Sequence, residues 1–108
     1  MSLSNGWRWV GGGLMLATGM APALGQDAQS LRASSLAATC ASCHGTGGHA
    51  VDDAAVPGLA GMPASYTVDQ LKAFKSGARP ATVMHQITKG YSDAQIELLA
   101  AYFAAQKK

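Results

Sequence analysis

The sequence has 108 residues, 48% of them hydrophobic and 13% charged, which is enough for one small domain and too few for two. Eight basic residues against six acidic ones give a formal charge of +2 without a basic run, which argues against a surface that tracks nucleic-acid phosphates. Two cysteines are too few for a disulfide scaffold or a four-cysteine metal site, so a core this small needs another staple.

In chain order, Arg8 precedes an uncharged stretch over 9–21 rich in Gly, Leu, Met and Ala, and small residues follow at Ala21, Ala23 and Gly25. The pattern predicts a secretory signal over residues 1–25, cut after Gly25 or Ala23. It is too short and too rich in glycine for a membrane span; the alternative is an uncleaved N-terminal anchor.

Beyond residue 25 the spacing of Ala33, Leu36, Ala37 and Cys40 predicts a helix over 28–40, with the first cysteine closing its apolar stripe. The glycines, Pro57, Asp52 and Asp53 between Gly45 and Gly61 predict a loop region. A second helix is expected from Tyr66 to Ser76, with Leu71 and Phe74 inward and Gly77 as its C-terminal cap. Lys72 and Lys75 on its outer face, with Arg79, could form a docking face; a solvated helix surface is the preferred reading. Arg79-Pro80 breaks the chain, and a short helical piece follows over Thr82 to Lys89.

Ser92 and Gln95 make a capping box for a last helix, Asp93 suits its positive end, and Lys107 and Lys108 suit the opposite end. Ile96, Leu99, Ala100 and Phe103 then repeat at helical spacing, a stripe expected to pack against the small-residue stripe of the first helix. No segment alternates as a strand does, so the predicted fold is all-α.

Cys40-Ala41-Ser42-Cys43-His44 carries the chemistry. Thiols three positions apart on one helical turn can bond the two vinyl groups of one porphyrin, and the imidazole that follows lies where it can bind the iron; the pattern reads as haem c attachment. A thioredoxin-like site wants a βαβ context and a zinc site wants two further ligands, and neither is present. A plain disulfide leaves His44 and the small core unexplained. For the opposite face of the iron the candidates beyond the signal are Met84, Met62 and His85, with Met84 preferred because it comes late enough in the chain to reach that face. His49 is too near His44 to cross over.

The runs LAATCASCHGT, PGLAG and YTVDQLKAFKSGARPATVMHQITKGYSDAQIELLAAYFAAQ resemble class I c-type cytochromes, and more closely the haem subunits of flavocytochrome c sulfide dehydrogenases. That resemblance covers residues 28–106. It implies a small class I cytochrome c domain over 26–108, with helices wrapped around one haem c bonded to Cys40 and Cys43. It further implies His44 and Met84 as axial ligands and the Pro57 carbonyl as the group that orients His44. The chain departs from two-haem relatives in having one CxxCH, and it carries Met62 where a polar residue is expected.

On the same basis the chain is expected to be no enzyme by itself. It would be a periplasmic electron-transfer subunit that takes electrons from an FAD-containing sulfide-oxidising subunit, FAD residing on that partner, and passes them to another carrier. The alternatives are a free monohaem shuttle and, from a different class, a gas-binding haem sensor with an open sixth position.

Overall fold

The computed structural model describes residues 12–13 and 23–108; most of the expected signal segment lies outside the described residues. Five helices follow in order: α1 (Ala23–Ala38), α2 (Ala41–His44), α3 (Ala64–Ser76), α4 (Met84–Lys89) and α5 (Asp93–Ala104). A single 3-10 turn, Thr46–Gly48, lies between α2 and α3. No strand occurs among the described residues, in agreement with the all-α expectation.

Helix α1 differs from its sequence expectation at both ends. It begins at Ala23, inside the segment expected to be removed, and it stops at Ala38 instead of running through Cys40. Alanine and leucine are strong helix formers, which explains the early start. The stop comes from Thr39, whose N–H and hydroxyl both donate to the Leu36 carbonyl (3.3 and 2.7 Å), while Cys40 N–H donates to Ala37 O at 3.0 Å. Bonds back by three residues tighten the last turn and redirect the chain into α2.

Helices α3 and α5 end and begin as their sequences direct. Gly77 closes α3 in the left-handed conformation, φ 83°, and donates to Phe74 O. Ser92 caps α5 by accepting from Gln95 N–H at 3.2 Å, and the Gln95 side chain accepts from Ser92 N–H at 2.8 Å. Helix α3 begins two residues earlier than expected, at Ala64 after Pro63, and α4 begins two residues later, at Met84. Within α4 the fully buried Thr88 donates its hydroxyl to Met84 O at 2.8 Å.

Helix α5 packs against α1 and α3, and α3 also carries α4. The expected stripe is buried: Ile96 and Ala100 are 0% exposed, Leu99 and Phe103 2%. Leu99 and Phe103 meet Ala37 of α1, with Leu36, Cys40, Leu59, Tyr91 and Tyr102 around them.

The loop between α2 and α3 is held by backbone bonds. Leu59 and Ala60 N–H groups both donate to Gly48 O (2.8 and 3.1 Å), and Gly61 N–H donates to Phe103 O at 2.8 Å. Gly48 is required there: at φ +80° a Cβ would stand 2.8 Å from Ala60 N and 2.9 Å from the Phe103 ring. His49 Nε2 donates to the Lys107 carbonyl at 2.6 Å, tying this loop to the far end of α5.

Candidate functional site

The turn α2 is built on Cys40, which is helical in φ and ψ although it precedes the helix proper. Cys43 and His44 N–H groups donate to its carbonyl at 3.4 and 3.0 Å, so the two cysteines and the histidine share one turn. Cys40 is half-buried and Cys43 exposed. Burial pushes the Cys40 thiol above its ordinary range; its hydrogen-bonding contact with the Thr39 hydroxyl works against this, and the neighbouring Cys43 adds to it.

His44 is buried, 8% exposed, and its Nδ1 lies 2.7 Å from the Pro57 carbonyl oxygen. A carbonyl only accepts, so Nδ1 carries the hydrogen and Nε2 keeps its lone pair. That is the tautomer an iron ligand needs, with the second nitrogen held by a backbone acceptor.

These residues line a cavity of about 610 Å³, a size usual for cofactor clefts. Cys40, Cys43, His44 and Pro57 border it on the side of α2, and Tyr66, Leu71 and Phe74 come from α3. Leu99 and Phe103 of α5 border it too, as does Met84 from the first turn of α4. The donor set suits a covalently held metalloporphyrin: two thiols on one turn, an imidazole presenting an unprotonated nitrogen, thioether sulfur, and otherwise mainly apolar walls.

The other candidates separate. Met62 lines the same cavity, whereas His85 does not; the Nδ1 of His85 is buried with no hydrogen-bond partner. His49 is turned to the loop, its Nε2 donating to Lys107 O, and it does not line the cavity. The basic residues also part company. Lys72 lies 3.7 Å from Glu97 and Lys75 3.8 Å from Asp93, both on the α5 side, while Arg79 borders the cavity.

Sequence reasoning passed over Thr39 and Tyr91. The Thr39 hydroxyl gives its hydrogen to Leu36 O, so the Tyr91 hydroxyl 2.8 Å away is the donor to Thr39. This bond joins the turn before Cys40 to the residue before the α5 cap, and Tyr91 also lines the cavity. A tyrosine next to a capping serine was the available signal, but the cap alone explained the segment.

The family model for cytochrome c matches residues 30–107. The chain is 45% identical over 71 residues to a thiosulfate dehydrogenase electron acceptor of Thiomonas intermedia, a match spanning 66% of this chain and 33% of that protein. It is 38% identical over 73 residues to the cytochrome subunit of sulfide dehydrogenase of Chlorobaculum tepidum, spanning 68% of this chain and 64% of that one. Among solved structures, cytochrome c4 of Acidithiobacillus ferrooxidans superposes with a TM-score of 0.61 at 29% identity, covering 82% of this chain and 52% of the other. The chain thus spans between about a third and two thirds of the length of these relatives. Among the described residues no helix is long and apolar enough to cross a membrane. The family that supplies the matching model binds haem c covalently, the thiols for that bond stand at the N-cap and third residue of α2, and the chain belongs to it as a class I electron-transfer cytochrome c.

Proposed function

We propose that this chain is the haem-bearing electron-transfer subunit of a periplasmic sulfide dehydrogenase whose partner chain carries FAD. The observation that carries the reading is the meeting of Cys40, Cys43, His44 and Met84 on one cavity in a chain 38% identical to a sulfide dehydrogenase cytochrome subunit. Haem c supplies a one-electron iron couple when bound. Cys40 and Cys43 would hold it by thioether bonds. His44 Nε2, kept in register by the Pro57 carbonyl, and the Met84 sulfur would bind its iron. In this reading the chemistry on sulfide belongs to the flavin chain.

A second reading has its own support. The 45% identity to a thiosulfate dehydrogenase electron acceptor makes thiosulfate the competing electron source. Purification from the native source, followed by reduction assays, separates the two. Under the first reading a flavin-containing chain comes with the cytochrome, and sulfide reduces the haem only when that chain is present. Reduction by thiosulfate through a flavin-free partner supports the second. A cytochrome that elutes alone and is reduced by neither overturns both and leaves a free shuttle.

A further inference from the structure

Tyr91 stands between the two halves of the site. It lines the cavity together with Thr39, Cys40 and Met84, and it packs against the core of Ala37, Leu99 and Phe103. Each of its polar groups is bonded to a different element. Its N–H donates to Thr88 O of α4 at 3.2 Å, its carbonyl accepts from the Lys75 ammonium of α3, and its hydroxyl donates to Thr39 Oγ1 at 2.8 Å. Thr88, 0% exposed, in turn donates its hydroxyl to Met84 O at 2.8 Å. A continuous path of hydrogen bonds therefore runs from Met84 through Thr88 and Tyr91 to Thr39, the residue joined by a peptide bond to Cys40.

The ends of that path are the two sides of the cavity. Cys40 opens the turn that carries His44, and Met84 opens α4. Among the described residues the Tyr91–Thr39 bond, 52 residues apart in sequence, is the one hydrogen bond that joins the turn 39–44 to the segment 84–91. A tyrosine is rigid along its length, because two torsions fix where the hydroxyl stands. Held at its backbone by Thr88 and Lys75 and at its tip by Thr39, it fixes a spacing as well as supplying an attraction. Lys75 also lies 3.8 Å from Asp93, which keeps the backbone end of Tyr91 against α3 and the start of α5.

We propose that Tyr91 is a positioning residue for the iron ligands: its hydroxyl bond to Thr39 sets the distance between the His44 turn and the first turn of α4, and so holds Met84 in place. This rests on the haem reading above, with Met84 as a ligand, and adds what keeps that ligand from leaving. Tyr91 acts through Thr88 on one side and through Thr39 on the other. For Met84 to give way to another ligand the segment that carries it must move off the cavity, and that movement breaks the Tyr91–Thr39 bond. The free energy of the bond is thereby added to the hold of Met84.

The test titrates the oxidised, haem-loaded protein with imidazole, which competes for the place of Met84, and follows the weak sulfur-to-iron absorption. Tyr91→Phe removes the hydroxyl and keeps the ring. The imidazole concentration for half displacement is expected to fall roughly two- to tenfold, the worth of one hydrogen bond. Thr39→Val should fall likewise, the double variant no further than the larger single effect, and Thr39→Ser, which keeps a hydroxyl, should match the wild type. An unchanged concentration in Tyr91→Phe overturns the proposal, and so do additive effects of the two variants, which would make each a separate loss of packing. Should the variants fail to mature, wild-type crystals grown with and without imidazole decide. The Tyr91–Thr39 hydroxyl distance is expected to open beyond about 3.5 Å once imidazole replaces Met84, and a bond kept intact in that complex overturns the role. Failure of the reading beneath is distinguishable: without haem the wild type carries no covalently bound pigment, and with another ligand Met84→Ala keeps the absorption.

Discussion

At the scale of single residues the site turns on two choices between similar groups. The first is between the nitrogens of His44, and the Pro57 carbonyl decides it by taking the Nδ1 hydrogen. The second is between Met84 and Met62, which line one cavity. Met62 follows a segment whose Leu59 and Ala60 N–H groups are bound to Gly48 O, and its own N–H donates to Leu59 O at 3.2 Å, so it is tethered to the loop that holds His44. Met84 stands on α4, which packs on α3. The expected outcome is that Met84→Ala removes the weak sulfur-to-iron absorption of the oxidised protein and Met62→Ala keeps it. A normal spectrum for Met84→Ala would make another residue the ligand.

At the scale of helices, α5 is the element on which the others converge. Phe103 touches Ala37 of α1, lies against Gly48 and borders the cavity, all at 2% exposure. Phe103→Ala therefore leaves a hole that neighbouring backbone cannot fill, and a loss of about 3–5 kcal/mol is expected in denaturant unfolding of the holoprotein. A loss near zero would mean that the helices close over the gap. Helix α5 was also the most legible element, because its cap, its stripe and the acidic Asp93 in its first turn are local signals that agree; Lys107 and Lys108, expected at its far end, fall beyond its last turn, which closes at Ala104. The CxxCH turn was legible for the same reason. What the sequence hid was set by tertiary contact. The stop of α1 at Ala38 depends on a Thr39 hydroxyl that also receives Tyr91, and the parting of Lys72 and Lys75, paired with α5, from Arg79 on the cavity depends on which side of α3 meets α5. Neither partner can be read from spacing along one helix.

At the scale of the whole molecule the fold is a set of short helices around a cleft, with a core made largely of alanine and a few large side chains. Covalent attachment is then part of the architecture. Acid–acetone treatment of the matured protein should leave the pigment on the chain, and on a Cys40→Ala, Cys43→Ala double variant it should extract whatever pigment is present; release from the wild type would disprove the thioethers. The tie between His49 and Lys107 and that between Gly61 and Phe103 have a consequence in time. The α2 turn is closed by bonds spanning four residues or fewer, whereas these two ties need nearly the whole chain, and contacts of such separation form only after the entropy of closing the intervening loop has been met. Attachment chemistry at Cys40 and Cys43 can thus be read from a short stretch of emerging polypeptide, while the surrounding pocket waits for the last helix. The order of events along the folding path is written into which bonds are local and which are not.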